Sequence, residues 1–199
     1  MKIIALCGFI GSGKDTVAKI LKDEKSYHIM SFAAALKDVV SIVFGWNRQM
    51  LEGNTLESRI WRESVDPWWS QRLNIPNLTP RFILQQWGTN VLRHYFHPDI
   101  WIASLQNRLL KMNVDKVVIT DCRFSNEIEV LKSLPYEVKF VWIRRAPIPL
   151  WVEDYIKYRI IPGDVHSSEY QWLCCNFDLI IENNGTIEDL KEYIKISNL

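Results

Sequence analysis

Several features that would place this chain in a specialised class are missing. Cysteine is scarce, with four residues in 199, at positions 7, 122, 174 and 175. They show no metal-ligand spacing, and the adjacent pair Cys174-Cys175 is unfavourable for an unstrained bridge, so they read as reduced thiols in a cytosolic protein. Charge of one sign is also missing. The 24 basic and 23 acidic residues leave a formal net charge of +1, which provides no broad basic field of the kind a nucleic-acid binder uses to collect phosphates. No nucleic-acid partner is expected, and any anion site must be local. Long hydrophobic runs are absent as well. The stretch Ile3 to Cys7 is the longest apolar run near the start, far too short for a signal peptide or a membrane span, so no membrane partner is expected. No internal repeat or low-complexity segment occurs. What remains is a hydrophobic content of 48% with 24% charge, the composition of an ordinary globular chain long enough for one sizeable core; a single domain over residues 1–199 is the expectation.

Apolar periodicity then predicts an α/β fold. Lys2 to Cys7 is a continuous apolar run ending at Gly8, suited to a central strand covered on both faces. Val17, Ala18, Ile20 and Leu21 follow at helical spacing, so the unit reads strand, loop, helix. Tyr27 to Phe32 predicts a second short strand, and Ala33 to Phe44 a helix stopped near Gly45. From Trp46 to Leu78, tryptophans lie among charges and Pro67 and Pro76 break regularity, predicting an irregular or short-helical insertion. Thr79-Pro80 predicts a helix start with Thr79 as N-cap, and Pro98-Asp99 a second one opening Ile100 to Leu110. Lys116 to Thr120, Val138 to Ile143 and Phe177 to Ile181 complete the strands, each of the first two ending at charged residues. The turn Asn183-Asn184-Gly185 leads into a closing helix in which Thr186 and Asp189 fit a capping box. Alternating strands and helices give about five parallel strands.

Gly8-Phe9-Ile10-Gly11-Ser12-Gly13-Lys14 matches the first seven positions of the Walker A pattern, between a buried strand and a helix as its mechanism requires. Gly8, Gly11, Ser12 and Gly13 let backbone N–H groups turn inward around phosphate oxygens, the helix adds its positive dipole end, and Lys14 reaches the terminal phosphates. The next position, normally a hydroxyl on magnesium, is Asp15; a hydroxyl arrives one residue later at Thr16. Asp15 therefore has three readings: it ligates metal, orients an acceptor, or caps the helix. A simple glycine-rich turn is the plain alternative for the whole loop.

Ligands of open α/β sheets bind beyond the carboxyl ends of the strands, where Asp121, Arg123, Arg144 and Arg145 are expected. Each arginine taken singly could equally be a solvated surface residue. A segment of about residues 145–170, with Trp151, Tyr155, Lys157, Tyr158, Arg159, Pro162, Gly163, His166 and Glu169, reads either as a lid that closes over phosphates or as an amphipathic surface helix packed through its aromatics.

The GFIGSGKDT of Gly8 to Thr16 resembles the loop of phage deoxynucleoside monophosphate kinases. Arg81-Phe82-Ile83-Leu84-Gln85-Gln86-Trp87-Gly88-Thr89, followed by Trp101, resembles that family's R-x-x-x-Q-x-x-G-T segment with its tryptophan. Asp121-Cys122-Arg123 with Glu127 resembles its D-x-R-x-x-x-E strand end, and Asp178 to Leu190 its final strand, turn and helix. The likeness spans nearly the whole chain, with Trp46 to Leu78 and the lid interior poorly matched. It implies an adenylate-kinase-like P-loop fold, ATP as donor, magnesium (Mg2+) held by Asp15 or Thr16, and a deoxynucleoside 5′-monophosphate as acceptor. It further implies an acceptor region of about residues 33–110, with Lys37, Arg81, Gln85, Thr89 and Trp101 lining the acceptor site together with Asp121 and Arg123. Asn184 and Gly185 would meet the adenine, although a plain turn uses the same residues. Lys14, Asp15, Arg123, Arg144 and Arg145 would serve the transfer itself. Other readings stay open: a P-loop kinase of the dephospho-coenzyme A or phosphomevalonate type, or a nucleotide-dependent switch. The accepted base, the sugar and a homodimer also stay open, and a viral chain would act in the host cytoplasm.

Overall fold

The apolar runs do become strands. The computed structural model describes residues 1–163, 165, 167–197 and 199, so His166 of the proposed lid lies outside the described residues. Along the chain the elements are β1 (Lys2–Cys7), α1 (Lys14–Lys25), β2 (His28–Met30), α2 (Ala34–Phe44), α3 (Leu56–Glu63), α4 (Pro67–Leu73), α5 (Pro80–Gln85), α6 (Ile100–Lys111), β3 (Lys116–Ile119), α7 (Ser125–Ser133), β4 (Glu137–Arg144), α8 (Trp151–Tyr158), β5 (Leu179–Glu182) and α9 (Ile187–Ile196). They gather into two compact units: Met1–Ser31 with Met112–Leu199, and Phe32–Lys111.

The first unit is built on a five-stranded sheet in the order β2-β3-β1-β4-β5, parallel at every pairing. β1 lies at its centre because Ile3, Ile4, Ala5, Leu6 and Cys7 are all buried, which only a strand covered on both faces can satisfy. Its side chains and those of Val118, Val141, Ile143 and Ile181 pack with Val17, Leu21, Leu190 and Ile194 of α1 and α9. α9 starts where the sequence places it: Thr186 Oγ1 accepts from the Asp189 N–H at 3.2 Å and Asp189 accepts from the Thr186 N–H at 2.8 Å. All four cysteines are free, with Cys7, Cys122 and Cys175 buried. Burial pushes the Cys175 thiol up to about 12, so it behaves as an inert part of the interior. Among the described residues no helix is long and apolar enough to cross a membrane.

The second unit is helical. α2 stops at Gly45, which takes φ +67 as its C-cap. Trp46 to Leu78 folds as a short 3₁₀ turn, Met50–Glu52, followed by α3 and α4. Trp46 stacks on Phe44 at 4.5 Å and donates its Nε1 to Asp66 at 2.8 Å, so this insertion is held by the tryptophans that made it look irregular. α5 starts at Thr79 as expected, its side chain accepting from the Phe82 N–H at 3.1 Å.

Beyond Gln85 the chain departs from a regular helix. Residues Gln86–Phe96 form a wide π-type helix, closed by the His97 N–H on the Leu92 carbonyl, five residues back, at 2.9 Å. Two contacts account for the widening. Gly88 is buried where an added Cβ would come 2.8 Å from Leu36 Cδ2, and its carbonyl accepts the Trp101 Nε1–H at 2.9 Å. Periodicity registers neither contact. Such widened turns recur at functional sites.

Candidate active site

The site grows from the junction of β1 and α1. At Gly8 the chain takes φ +146, and a Cβ there would come 2.5 Å from the Ile143 carbonyl oxygen. The loop therefore lies flush against the end of β4, which glycine alone permits. At Gly13, the N-cap of α1, φ is +99 and a Cβ would collide with the Asn183 amide. Between them the Ser12 N–H turns back to the Phe9 carbonyl at 3.2 Å. The result is a backbone cradle leading into a helix N-terminus, the arrangement that binds anions.

Lys14 lies across this cradle, donating to the carbonyls of Gly8 at 2.7 Å and Phe9 at 2.8 Å. Burial, and then the Arg123 guanidinium, lower its pKa to about 8; Asp15 and Glu169 pull the other way. Among the described residues the Ser12 hydroxyl is buried without a hydrogen-bond partner, an orphan that a phosphate oxygen would satisfy. Asp15 is exposed on the first turn of α1 and Thr16 half-buried. Gly13 holds the cap position without a side-chain bond, so Asp15 makes no cap hydrogen bond, but it is the acid of the first turn, where its charge suits the positive end of the helix. Among the described residues no cluster of three or more histidine, cysteine or carboxylate side chains could hold a metal. Magnesium at a nucleotide needs none, because phosphates and water supply most of its ligands.

Asn183 was missed as a site residue. Its N–H donates to the Arg144 carbonyl at 2.7 Å and its Nδ2 to the Ser12 carbonyl at 2.8 Å, so it fastens the loop to the sheet. Its position directly after the last strand, ahead of a glycine turn, was the available signal. The neighbouring Asn184 differs from expectation: its Oδ1 accepts from the Ala146 N–H at 2.8 Å, so that oxygen holds the loop after β4. Gly185 lets Asp189 approach closely.

The strand-end charges separate into two groups. Asp121 follows β3, and Arg123 sits just beyond it. Glu127, buried on α7, accepts from the N–H groups of Arg123 at 2.8 Å and Phe124 at 3.1 Å, which fixes the backbone there. The Arg123 side chain meets Glu169 at 3.4 Å. Lys14, Arg123, Asp15 and Glu169 thus form one electrostatic group. Arg144 does not join it; its guanidinium pairs with Glu182, its register partner on β5, and lies 5.6 Å from the Trp142 ring. Arg145 is exposed. Of the predicted lid cations, Arg159 stands over Tyr155 at 5.2 Å. α8 is amphipathic, with Val152 and Tyr155 buried, so the aromatic-packing reading describes its inner face. Phe9 lies between Trp151 of this helix at 5.9 Å and Trp172 at 5.0 Å.

Glu169 was named only as a member of the 145–170 segment, with no role of its own, since it lies in an aperiodic stretch. If a reaction at this site needs protonated Lys14, its kcat/KM falls as pH rises through the Lys14 pKa; Glu169→Gln is expected to remove a charge that supports the protonated form, so that alkaline fall should move to lower pH. The loss in kcat/KM below that fall should be only a few-fold, since a partly exposed pair contributes about 0–1 kcal/mol. An unmoved alkaline limb would show that Glu169 is not coupled to Lys14.

In the helical unit, Lys37 and Glu52 form an ion pair at 2.5 Å, the lysine side chain only 15% exposed. Arg48 joins from the other side, pairing with Glu52 and with Asp38 at 2.5 Å. Burial pulls the Glu52 carboxyl up, but Lys37 and Arg48 outweigh it and hold its pKa below the ordinary value. Arg81 meets Glu63 at 3.2 Å, while Gln85 and Thr89 are exposed. Trp101 is 6% exposed with its N–H on Gly88. It anchors the wide helix, correcting the expectation that its ring lines the acceptor site.

The chain matches a family model described as deoxynucleotide monophosphate kinase over residues 69–194. A protein of Acanthamoeba polyphaga mimivirus named "Putative deoxynucleotide monophosphate kinase" is 30% identical, with 98% of this chain and 94% of that protein covered. The deoxynucleoside-5′-monophosphate kinase of Escherichia phage T5 is 28% identical over 66% of this chain and 72% of its own. Among solved structures, dephospho-CoA kinase from Campylobacter jejuni is 15% identical, covers 98% of this chain and 95% of its own, and superposes with a TM-score of 0.47.

Proposed function

Because the chain belongs to the deoxynucleotide monophosphate kinase family, we propose that it transfers the γ-phosphate of ATP to the 5′-phosphate of a deoxynucleoside monophosphate, yielding the diphosphate and ADP. The observation that carries the donor half is the cradle of Gly8 to Gly13, with the orphaned Ser12 hydroxyl inside it and Lys14 across it.

The backbone N–H groups of the cradle and the N-terminus of α1 would hold the donor phosphates. Lys14 would exchange its two carbonyl acceptors for phosphate oxygens, a charge-assisted bond in place of neutral ones. Asn183 keeps the cradle at the end of β4. Asp15 and Thr16 offer hard oxygens that would hold Mg2+, which when bound would supply neutralisation of phosphate charge. Transfer forms a bond from an acceptor phosphate oxygen to the γ-phosphorus and breaks the bond to the β,γ-bridging oxygen, the electron pair leaving on ADP. A phosphate monoester has its second pKa near ~6, so the nucleophile is already ionised and no general base is required. Arg123 stands beside Lys14 and would stabilise the transferred charge; Arg145, exposed beyond the end of β4, would join it. Arg144, paired with Glu182, supports the sheet end. For the adenine, the Asn184 Nδ2 and the backbone at Gly185 remain after the Asn184 oxygen is spent on Ala146.

On the acceptor side, Arg81 and Gln85 of α5 and Thr89 of the widened helix are exposed or half-buried polar groups, consistent with contact to the monophosphate. Lys37 would act through Glu52. The test is direct: with ATP and magnesium, ADP release should depend on an added deoxynucleoside monophosphate. A screen of all four giving no acceptor-dependent signal would refute the proposal.

A further inference from the structure

The segment before residue 69 lies outside the span matched by the family model, and it holds an arginine in an uncomfortable setting. Arg62 is in the last turn of α3, which packs against both the 3₁₀ turn at Met50–Glu52 and α5. Its Nη1 donates to the Glu52 carbonyl at 3.2 Å. The approach runs over Gly53, where φ is +72 and any Cβ would strike the guanidinium. Glycine at this position leaves room for that side chain.

The rest of the guanidinium is poorly matched. Among the described residues its Nε is buried with no hydrogen-bond partner, and no carboxylate among them forms an ion pair with it. The two carboxylates close enough to be felt are committed elsewhere: Glu52 to Lys37 and Arg48, Glu63 to Arg81. Burial, and after it the like charge of Arg81, lowers the Arg62 pKa. An unmet buried donor and two like charges on packed helices, near enough to repel, are both unfavourable. A single doubly charged oxyanion would relieve both.

We propose that Arg62 and Arg81 together form the seat for the acceptor's 5′-phosphate, a phosphate monoester. Arg62 turns its Nε–Nη2 edge onto two phosphate oxygens, the fork geometry that guanidinium provides and an ammonium does not. Nη1 keeps its bond to Glu52, which aims that edge. Arg81 exchanges Glu63, a half-exposed partner, for the same phosphate. The inference rests on the proposed function and assigns a phosphate contact to a residue of the insertion.

The experiment compares a monophosphate with the same nucleoside lacking phosphate. Dissociation constants for each deoxynucleoside monophosphate and its deoxynucleoside are measured by calorimetry on the full chain, with Arg62→Met and Arg62→Lys beside it. Methionine keeps an apolar stem in place, so the fold is retained. Arg62→Met should bind the monophosphate roughly 10- to 100-fold more weakly, the size of one charge-assisted hydrogen bond, and bind the nucleoside unchanged. Arg62→Lys should recover only part of the loss. Monophosphate affinity within twofold of the parent would overturn the assignment. So would an equal loss for monophosphate and nucleoside, which marks a structural role. A parent chain that holds the monophosphate no tighter than the nucleoside would instead remove the acceptor reading itself, and this inference with it.

Discussion

Replacing Lys14 with methionine is expected to lower kcat/KM roughly a thousandfold, the upper end of what removing one preorganised donor costs at a transferring group. The cradle positions donor phosphates with fixed backbone dipoles, but only Lys14 brings a full charge from within it. Methionine preserves the apolar stem and removes the ammonium that now rests on the Gly8 and Phe9 carbonyls. Thermal stability should hold or rise, because burial of that charge is unfavourable. Retention of kcat/KM within tenfold would take the phosphate loop out of the role assigned to it. The parent should also show a signature in pH. Its Lys14 pKa stands at about 8, against an ordinary 10.5, so kcat/KM of the free enzyme should fall as pH rises through about 8 and the cation is lost. The linkage to folding has the opposite sense. Below about 8 the lysine is protonated folded and unfolded, and its burial cost is carried in full. Between about 8 and 10.5 the unfolded chain binds a proton the folded one has lost, so this group makes stability rise with pH across that window. Lys14→Met should abolish the rise.

How much of this was legible follows from the range over which each feature is encoded. The cradle was readable because its spacing, its glycines and the flanking β1 and α1 lie within a dozen consecutive residues. The inner strands β1 and β3 and the second half of β4 were readable for a similar reason, since a strand buried on both faces declares itself as an unbroken apolar run. Arg144 was misjudged because the end of a strand is a position, whereas its partner Glu182 is set by the register of β4 on β5. Trp101 read as a ligand surface because a tryptophan looks the same in sequence whether its indole faces out or donates to Gly88. The wide helix after Gln85 was invisible for the same reason, as the groups that widen it lie at Leu36 and Trp101. Asn183 was in view in its turn and Arg62 lay unremarked in the Trp46 to Leu78 insertion; what distinguishes both is set outside their own segment pattern: an amide reaching the Ser12 carbonyl 171 positions away, and a guanidinium seated over Gly53 with an unmet nitrogen among the described residues.

Trp172→Ala should produce the largest loss of stability. The side chain is 1% exposed and meets Phe9 at 5.0 Å, Trp142 at 5.5 Å and Phe177 at 6.1 Å. Truncating so large a buried ring removes its transfer free energy and leaves a cavity, together about 3–5 kcal/mol, much of the roughly 5–15 kcal/mol that holds a typical domain. At this chain length that corresponds to a fall in Tm of about 6–20 °C. The same ring is also a floor for Phe9, the second residue of the cradle, whose other edge meets Trp151 of α8. Stability alone would not separate a core residue from one that supports the cradle, but ligand-induced stabilisation does. At a hundredfold excess over its dissociation constant, ATP should stabilise the parent by about 2.7 kcal/mol. If Trp172 holds Phe9 in place, Trp172→Ala should show a smaller shift at the same ATP concentration, because weaker binding subtracts directly from that quantity, and Trp172→Phe should restore part of it. A full ATP shift on a lowered Tm would mean that the cradle keeps its shape without this ring, and that Gly8, Gly13 and Asn183 suffice to hold it.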